Sequence, residues 1–353
     1  MSHACVLASN QSVYAKLSDQ FDVTLIVPKM WRDELRPTPY QSATSKEFFG
    51  EVVRVATWAI GRPQRHVARV RAVATLRRTK PDFVVIEEEP FSLSAIYWSR
   101  AARRLGVPYA VQIAENLSKA LPAPIETACR RVLAGAAFVM GRSPAAVKLA
   151  QRWGYVGPAT VVAHGYDPTE TGAVSHPLGV VGFVGRLIAT KGVDDLVAAL
   201  TTHRELQLRV AGDGPLRVKL ATLGTRVELL GTLAPEQMDQ FYDSISVLAV
   251  PSRTTPSWSE QFGRVIIEAQ GRGVPVVAYS SGEIPWVASL TAVELVAEGD
   301  VEGLGLAIER LATHGELARS TGERARHQVE ANFTNAVIGR QLAALITSAA
   351  KTN

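Results

Sequence analysis

Short apolar runs recur along the chain, separated by segments in which apolar residues have helical spacing. They include ACVLA, VTLIVP, DFVVIE, YAVQIA, AAFVMG, TVVAHG, VVGFVG, LQLRVAG, VELLG, SVLAVPS and VPVVAY. Val, Ile and Leu are nearly continuous in these runs, which predicts strands covered by helices on both faces, as in parallel sheets. Strands alternating with helices are typical of βαβ units, so the pattern predicts an α/β fold. ACVLA is the predicted first strand, followed by a turn at residues 9–12 (SNQS).

The chain has a break at residues 166–177, where YDPTETGAVSHP combines Pro, Gly and Thr without an apolar period. A length of 353 residues leaves room for two domains. We therefore predict two doubly wound, Rossmann-like domains at 1–168 and 169–330, facing each other across a cleft. Ligands bind at the carboxyl ends of strands in such sheets, so the cleft is the expected site. Residues 331–353 are predicted to form a terminal helix, with packing back on the N-terminal domain as one arrangement.

Composition describes an ordinary folded protein, with 47% hydrophobic and 20% charged residues. The only cysteines, Cys5 and Cys129, are too few for a disulfide framework or a metal cluster, which indicates a reducing compartment. No run approaches the ~18 apolar residues of a membrane span, and the start lacks the regions of a signal peptide. We expect a cytoplasmic protein.

Positive charge is concentrated in the first half of the chain. Residues 1–168 contain 22 Lys and Arg against 13 Asp and Glu, and the remainder contains 16 against 20. The densest basic stretch runs from Arg62 to Lys80, where Val67, Val70 and Val73 recur at helical spacing and predict an amphipathic helix. Two interpretations stay open: a solvated helix face, or contact with anionic lipid headgroups at the inner face of a membrane or with an acidic acceptor. Nucleic acid is not expected, because no recognition motif accompanies the charge.

The segment GRLIATKG lies between the predicted strand VVGFV and the helical run VDDLVAAL. Its glycines let the backbone approach a ligand, and Arg186 and Lys191 place two cations at a helix N-terminus, which favours a diphosphate. The segment is not a Walker A loop, because Lys191 precedes Gly192 and Val193 follows. In the alternative interpretation, Arg186 caps a loop and Lys191 is an exposed residue of the first turn.

A second segment, EQFGRVIIEAQ, separates Glu260 from Glu268 by seven residues. With a helix starting near Phe262 or Gly263, Glu268 falls on its second turn and Glu260 on the preceding loop. Carboxylates accept hydrogen bonds from vicinal diols, which ribose and hexoses share. The helix N-terminus between them favours phosphate. The alternative is an exposed Glu268, with Glu260 interacting only with the helix dipole.

Taken in order, these segments resemble retaining glycosyltransferase family 4, the glycosyl transferases group 1, whose architecture is GT-B. The resemblance depends on the order and spacing of FVGRL, KG, LRVAGDGP, VELLGTL, AVPS and EQFGRVIIEAQGRGVPVVAY. Weaker similarities are PKMWRDE, PDFVVIEEEP, VQIAENLSKALPAPIE and TVVAHGYDP. The resemblance implies a hexosyltransferase that moves sugar with retention from a nucleotide-diphosphate-sugar to an unidentified acceptor, which is a glycan, a lipid-linked molecule or a small molecule.

The resemblance also implies roles for matching positions. Arg186 and Lys191 would neutralise the donor diphosphate, Glu260 would face the donor sugar, and Glu268 would hold the ribose hydroxyls. The other implied donor-binding residues are Gly185, Gly212, Asp213, Gly214, Leu230, Gly231, Thr232, Leu233, Phe262, Gly263, Arg264 and Val265. Neither a metal nor another cofactor is expected, because two cations and a helix N-terminus can stabilise the leaving group.

The chain departs from the family pattern on the acceptor side. The turn at residues 9–12 has no glycine, and Glu115 and Asn116 stand where many members place a histidine. We expect Glu89, Glu115 and Asn116 to line the acceptor side. In the alternative, the acids at 87–89 face solvent and Asn116 caps a helix.

Other functions stay open at this point. A non-catalytic subunit that binds nucleotide-sugar would share the donor motifs, and a GT-B-like epimerase or phosphorylase would share the architecture. A nucleotide-linked oxidoreductase is disfavoured, because no G-x-G-x-x-G follows the first predicted strand.

Overall fold

The computed structural model describes residues 1–32, 38–168 and 176–351. The chain divides into two compact units: unit 1 comprises Met1–Gly165 and Asn335–Asn353, and unit 2 comprises Tyr166–Thr334. These limits lie a few residues from the predicted domain boundaries. Residues 33 and 34 of the PKMWRDE segment, and residues 169–175 of the predicted linker, fall outside the described residues.

Unit 1 begins with two short 3-10 helices and continues as alternating strands and helices. The strands are β1 Thr24–Pro28, β2 Met30–Trp31, β3 Tyr40–Gln41, β4 Glu51–Val55, β5 Thr57–Trp58, β6 Val67–Ala68, β7 Val84–Ile86, β8 Tyr109–Ile113, β9 Phe138–Gly141 and β10 Ala159–Val161. The helices are α1 Ser12–Leu17, α2 Ala72–Thr79, α3 Leu93–Arg104, α4 Ala123–Ala134 and α5 Pro144–Arg152. Strands β7 to β10 form a parallel sheet in the order β10-β9-β8-β7, and β1 pairs in parallel with β4.

The first residues of the chain join the β1–β4 pair to the larger sheet of unit 1. The Ser2 amide donates to the carbonyl of Ile26 at 3.2 Å, and the Glu87 amide donates to the carbonyl of Met1 at 2.9 Å. The predicted first strand is therefore wrong: Ala4–Val6 is a 3-10 helix, and only the bridge at Ser2 occupies the strand position.

The predicted helix across the basic stretch is wrong over its first half. Val67 and Ala68 form β6, which pairs antiparallel with β5, and only Ala72–Thr79 is helical. Four arginines that precede α2 are exposed, namely Arg62, Arg65, Arg69 and Arg71. Contact of this stretch with an anionic membrane stays a prediction. In the described parts of the chain, no helix is both long and apolar enough to cross a bilayer.

Unit 2 is a second βα alternation. Its strands are β11 Val180–Val184, β12 Gln207–Ala211, β13 Val227–Gly231, β14 Val247–Val250, β15 Val276–Tyr279 and β16 Val293–Val296. Its helices are α6 Val193–Thr202, α7 Arg217–Ala221, α8 Met238–Asp243, α9 Arg264–Gly271, α10 Ile284–Leu290, α11 Val301–Thr313 and α12 Gly315–Asn332. The described strands form a parallel sheet in the order β13-β12-β11-β14-β15-β16. Every residue of β14 and β15 is buried, as their continuous apolar sequences predict.

A final helix, α13 Asn335–Lys351, belongs to unit 1. It packs on α1, where a Cβ on Gly339 would lie 2.9 Å from the Cβ of Lys16. The side-chain amide of Gln341 donates to the carbonyl of Val161 in β10 at 2.6 Å. The chain thus leaves unit 1 once, forms unit 2, and returns.

Candidate active site

The carboxyl ends of β11, β12, β13 and β14 meet at one edge of the unit 2 sheet, because these strands are parallel. Arg186 follows β11 and is half-buried, and Lys191 ends the 3-10 helix Ala189–Lys191 just before α6. Gly192, which has a φ of 70°, lies between Lys191 and α6. A Cβ there would come within 1.8 Å of the carbonyl oxygen of Pro251, so only glycine allows this approach of the turn to the end of β14.

The two segments that the sequence analysis selected meet at Lys191 and Glu260. The ammonium of Lys191 lies 2.6 Å from Oε2 of Glu260 and 4.9 Å from the ring centre of Trp258. The hydroxyl of Ser252 donates to the same carboxylate oxygen at 3.0 Å. Glu260 is 9% exposed, so its charge is compensated by a cation and a hydroxyl inside the protein.

The backbone around Glu260 is also constrained. Its carbonyl accepts a hydrogen bond from the amide of Glu283 at 3.0 Å. Gly282 has a φ of 54°, and a Cβ on it would lie 2.4 Å from that carbonyl oxygen. The loop therefore holds the Glu260 carboxylate in place from both its main chain and its side chain.

Helix α9 begins where the sequence predicts. Its N-cap is Gly263, with a φ of 79°, and its first residue is Arg264, followed by Val265. Phe262 is buried, with ring centroids 5.9 Å from Trp286 and 5.8 Å from Phe333. This packing fixes the approach to the helix, whose first amides have no intrahelical acceptor.

Glu268 lies in the second turn of α9 and is fixed by two partners. One carboxylate oxygen accepts a hydrogen bond from the hydroxyl of Tyr242 at 2.9 Å, and the other lies 3.2 Å from the guanidinium of Arg264. Tyr242 is fully buried, so its hydroxyl is available to Glu268 as a fixed donor. Burial, and then the charge of Glu268, raise the pKa of Tyr242 well above its usual value and keep it protonated.

The remaining predicted donor positions surround the turns after β12 and β13. The amide of Gly212 donates to the carbonyl of Gly231 at 2.7 Å, and the amide of Leu187 donates to the carbonyl of Asp213 at 2.9 Å. A Cβ on Gly212 would lie 1.9 Å from the carbonyl oxygen of Gly185. The other members of this set are Gly214 at a φ of 155°, Leu230 and Thr232, which are exposed, and Leu233, which is half-buried. The turn after β11 therefore packs directly on the Gly-Asp-Gly turn.

The acidic residues at the start of α6 both pair with cations. Oδ1 of Asp195 lies 2.6 Å from the guanidinium of Arg253, and Asp194 pairs with Lys219. Asp195 is buried, whereas Asp194 is half-buried. These pairs give each carboxylate a structural role beside the turn between β11 and α6.

In unit 1, the acids at 87–89 form hydrogen bonds and ion pairs with other protein groups. The alternative prediction that they face solvent is therefore wrong. Glu87 pairs with Arg142 and accepts from the hydroxyl of Tyr14 at 2.8 Å. Glu88 is 2% exposed and pairs with His3 and His66. Glu89 accepts from the amides of residues 114 and 115 at 2.8 and 3.0 Å.

Of the predicted acceptor-side residues, Glu89 follows β7, and Glu115 and Asn116 follow the neighbouring strand β8. The Glu89 carboxylate binds the backbone at Glu115, and Glu115 is itself buried and pairs with Lys119. Asn116, the next residue, lies seven residues before α4 and is half-buried. Burial raises the pKa of Glu89 to about 7, although the two backbone hydrogen bonds oppose the rise.

Three residues near the candidate site were missed in the sequence analysis: Ser252, Trp258 and Tyr242. Ser252 follows β14. A polar residue at the carboxyl end of a buried parallel strand indicates a ligand-binding position, so the sequence could have identified it. Trp258 and Tyr242 gave no such signal, because their contacts with Lys191 and Glu268 join distant parts of the chain.

Two family models match the chain. The model described as "Glycosyl transferase 4-like domain" matches residues 9–166, and that described as "Glycosyl transferases group 1" matches residues 179–314. The chain belongs to glycosyltransferase family 4. It is a glycosyltransferase of the GT-B type, an enzyme that takes sugar from a nucleotide-sugar donor.

Curated relatives match this glycosyltransferase over part of their length. A GDP-mannose-dependent alpha-mannosyltransferase of Mycolicibacterium smegmatis is 29% identical over 266 residues, which are 70% of this chain and 68% of that protein. A GDP-mannose-dependent monoacylated alpha-(1-6)-phosphatidylinositol monomannoside mannosyltransferase of Corynebacterium glutamicum is 31% identical over 180 residues, 48% of this chain and 47% of that protein. The match thus spans about two thirds of the first relative and about half of the second.

Solved structures share the fold across the whole glycosyltransferase. The sucrose-phosphate synthase of Thermosynechococcus elongatus matches with a TM-score of 0.69 and 19% identity, covering 97% of this chain and 92% of that one. Anabaena HepE, in complex with UDP and glucose, matches with a TM-score of 0.69 and 17% identity, covering 96% of each chain. These likenesses establish two Rossmann-like domains of the GT-B type.

Proposed function

We propose that unit 2 binds the diphosphate of the donor between Lys191, Arg186 and the start of α9, with Glu260 facing the transferred sugar. The observation that carries this proposal is the 2.6 Å contact between Lys191 and Glu260 at the carboxyl ends of β11 and β14. It brings together a cation and a carboxylate 69 positions apart in sequence. Such a pair can contact both a phosphate and the hydroxyls of the sugar attached to it.

Catalysis in this proposal depends on stabilising the leaving nucleotide diphosphate. Negative charge grows on its phosphate oxygens as the bond between sugar and diphosphate breaks, and Lys191, Arg186 and the first amides of α9 would stabilise that charge. Because Ser252 also holds the Glu260 carboxylate, Lys191 can shift towards the diphosphate without leaving that carboxylate unpartnered. Glu268, oriented by Tyr242, accepts hydrogen bonds from the ribose hydroxyls.

We propose that transfer retains the anomeric configuration and needs no metal ion. The departing phosphate oxygen then assists deprotonation of the acceptor on the same face of the sugar. Asp194 and Asp195 already pair with Lys219 and Arg253, which supports a donor site without carboxylate-bound metal. Product anomers assigned by NMR would test retention. An inverted product, or a transfer rate that rises when Mg²⁺ or Mn²⁺ is returned after EDTA treatment, would contradict these two points.

The nucleotide and sugar are best sought with a small panel of donors. Two curated relatives are named as GDP-mannose-dependent, and one structural relative is a complex with UDP. We therefore propose a nucleoside diphosphate hexose, with GDP-mannose and UDP-glucose as the first donors to test. Thermal shift is a direct readout, because a ligand at 100 times its Kd adds ~2.7 kcal/mol of stability.

The deciding experiment replaces Lys191 or Arg186 with alanine. Each change removes a charge-assisted contact worth ~1.5–3 kcal/mol, so turnover should fall roughly tenfold to over a hundredfold. Lys148→Ala is the matched control, since this lysine is exposed on α5 of unit 1, and it should leave turnover unchanged. Normal transfer by the Lys191→Ala, Arg186→Ala double variant would refute the donor site. Donor binding with no transfer to any acceptor would favour the non-catalytic alternative.

A further inference from the structure

Unit 1 contains a compact group of metal-ligating side chains that the glycosyl-transfer proposal does not use. His3, His66 and Glu88 each offer one ligand atom, and these atoms lie within 4.8 Å of one another. His3 Nδ1 is 2.7 Å from Glu88 Oε2, and His66 Nε2 is 3.3 Å from Glu88 Oε1. The three residues come from the start of the chain, from the segment before β6 and from the end of β7.

The orientation of His66 suits a metal ligand. Its Nδ1 lies 2.9 Å from the carbonyl oxygen of Pro63, a contact in which Nδ1 is the donor. In a neutral ring the Nε2 lone pair then points at the carboxylate of Glu88, and two lone pairs repel each other unless a cation lies between them. A backbone carbonyl that fixes the tautomer in this way is a common outer-shell partner of metal-bound histidines.

The surroundings limit motion of the three side chains but leave one route of access. Trp31 packs against both imidazoles, with centroid distances of 5.0 Å to His3 and 5.1 Å to His66. The side chains of His66 and Glu88 are 3% and 1% exposed, whereas that of His3 is 24% exposed. Glu88 is held at the site by its second contact, a hydrogen bond from the His3 amide at 2.9 Å.

The charges of the group also favour a cation. Glu88 is 2% exposed, and a carboxylate buried in this way needs partners that compensate its negative charge. The carboxylate has only the two imidazoles and one amide to balance that charge among its described side-chain contacts.

We propose that His3, His66 and Glu88 form a binding site for Zn²⁺ in unit 1. Two neutral nitrogens and one carboxylate oxygen are a usual zinc ligand set, with water completing four-coordination. Bonds of about 2.0–2.2 Å place tetrahedral ligand atoms about 3.3 Å apart. The His66–Glu88 contact of 3.3 Å already has this spacing, whereas the His3–Glu88 contact of 2.7 Å would lengthen and the longest spacing, within 4.8 Å, would shorten. The ion would link the start of the chain, β6 and β7, and would stabilise unit 1.

The test titrates Zn²⁺ into untagged, EDTA-treated full-length protein by calorimetry at neutral pH, and repeats the titration with Co²⁺ while recording its visible absorption. We expect one ion per chain and a four- or five-coordinate Co²⁺ spectrum. His66→Gln and Glu88→Gln should each weaken binding by more than the ~10–100-fold typical of outer-shell changes. His327→Gln is the matched control, because His327 forms an exposed pair with Glu330, and it should bind as the wild type does.

Three results would overturn the proposal. They are the absence of stoichiometric binding, unchanged affinity in both ligand variants, or an octahedral Co²⁺ spectrum shared by wild type and variants. If Glu88→Gln does not fold, zinc binding is measured with His3→Gln instead. His3 is partly exposed, so its replacement should be tolerated and should still abolish binding of the same ion. Donor binding by unit 2 is measured in parallel with Lys191→Ala, so failure of the zinc site and failure of the donor site are separable.

Discussion

At the scale of single residues, the carboxylates of the proposed donor site are positioned by residues that the sequence did not reveal. Tyr242 is the clearest case, since its buried hydroxyl holds Glu268. Glu260 is held by Ser252 as well as by Lys191. The motif therefore predicts which carboxylates are present, but their orientation depends on contacts between distant segments.

Tyr242→Phe should weaken donor binding while leaving the ring packed in the core. Losing a hydrogen bond to a charged group costs ~1.5 kcal/mol, so the donor Kd should rise about tenfold. Tyr155→Phe is the matched control, because its hydroxyl contacts the carbonyls of Ala136 and Pro158 in unit 1. Equal donor affinity in the two variants, measured by calorimetry, would argue against a positioning role for Tyr242.

Glu89 gives a pH prediction, because its pKa is raised by burial from 4.5 to about 7. The folded chain then binds this proton more tightly than the unfolded chain does. Raising the pH from about 4.5 to about 7 should therefore lower the free energy of unfolding, and the loss should level off above pH 7. Glu89→Gln should remove this contribution, whereas Glu126→Gln, at an exposed position on α4, should not. Urea denaturation across this pH range measures both, and identical slopes for wild type and Glu89→Gln would contradict the prediction.

At the scale of elements, sequence periodicity predicted the long strands and helices of both units. It failed where contacts between distant segments determine the secondary structure. The valines at 67, 70 and 73 have helical spacing, yet Val67 pairs with Trp58 in a hairpin. ACVLA is apolar enough for a strand but forms a 3-10 helix, because the bridging position between β1 and β7 is taken by Ser2. The zinc ligands come from three separate segments, so no local pattern could have grouped them.

The turn between β11 and α6 gives a prediction at this scale. Gly192→Ala should destabilise unit 2 by more than the ~1–2 kcal/mol of a left-handed backbone, because its Cβ would also meet Pro251. Gly224→Ala is the matched control: its φ is 64°, and a Cβ there meets nothing within 4 Å. Hydrogen exchange in β11 and β14 reports the stability of unit 2. Equal losses in the two variants would mean that backbone strain alone requires glycine at 192.

At the scale of the whole molecule, unit 1 is built from both ends of the described chain, and α13 supplies part of its core. Ile338, Leu342 and Ile346 are all buried, and replacing such residues with alanine costs ~2–5 kcal/mol each. A chain lacking residues 335–353 should therefore lose hydrogen-exchange protection in α1 and β10 while β11 to β15 remain protected. Deleting only residues 352–353 is the control. Uniform loss of protection across both units would show that they do not fold as separate entities.

Because unit 2 is inserted between the two segments of unit 1, the order of synthesis affects which unit can fold first. The two ends of unit 2 lie side by side, with the Tyr166 amide bonded to the carbonyl of Phe333 at 2.8 Å. A nascent chain can therefore close unit 2 as soon as Phe333 has left the ribosome. Unit 1, although translated first, cannot cover the surface of α1 that packs on α13 until residues 335–351 have also left the ribosome.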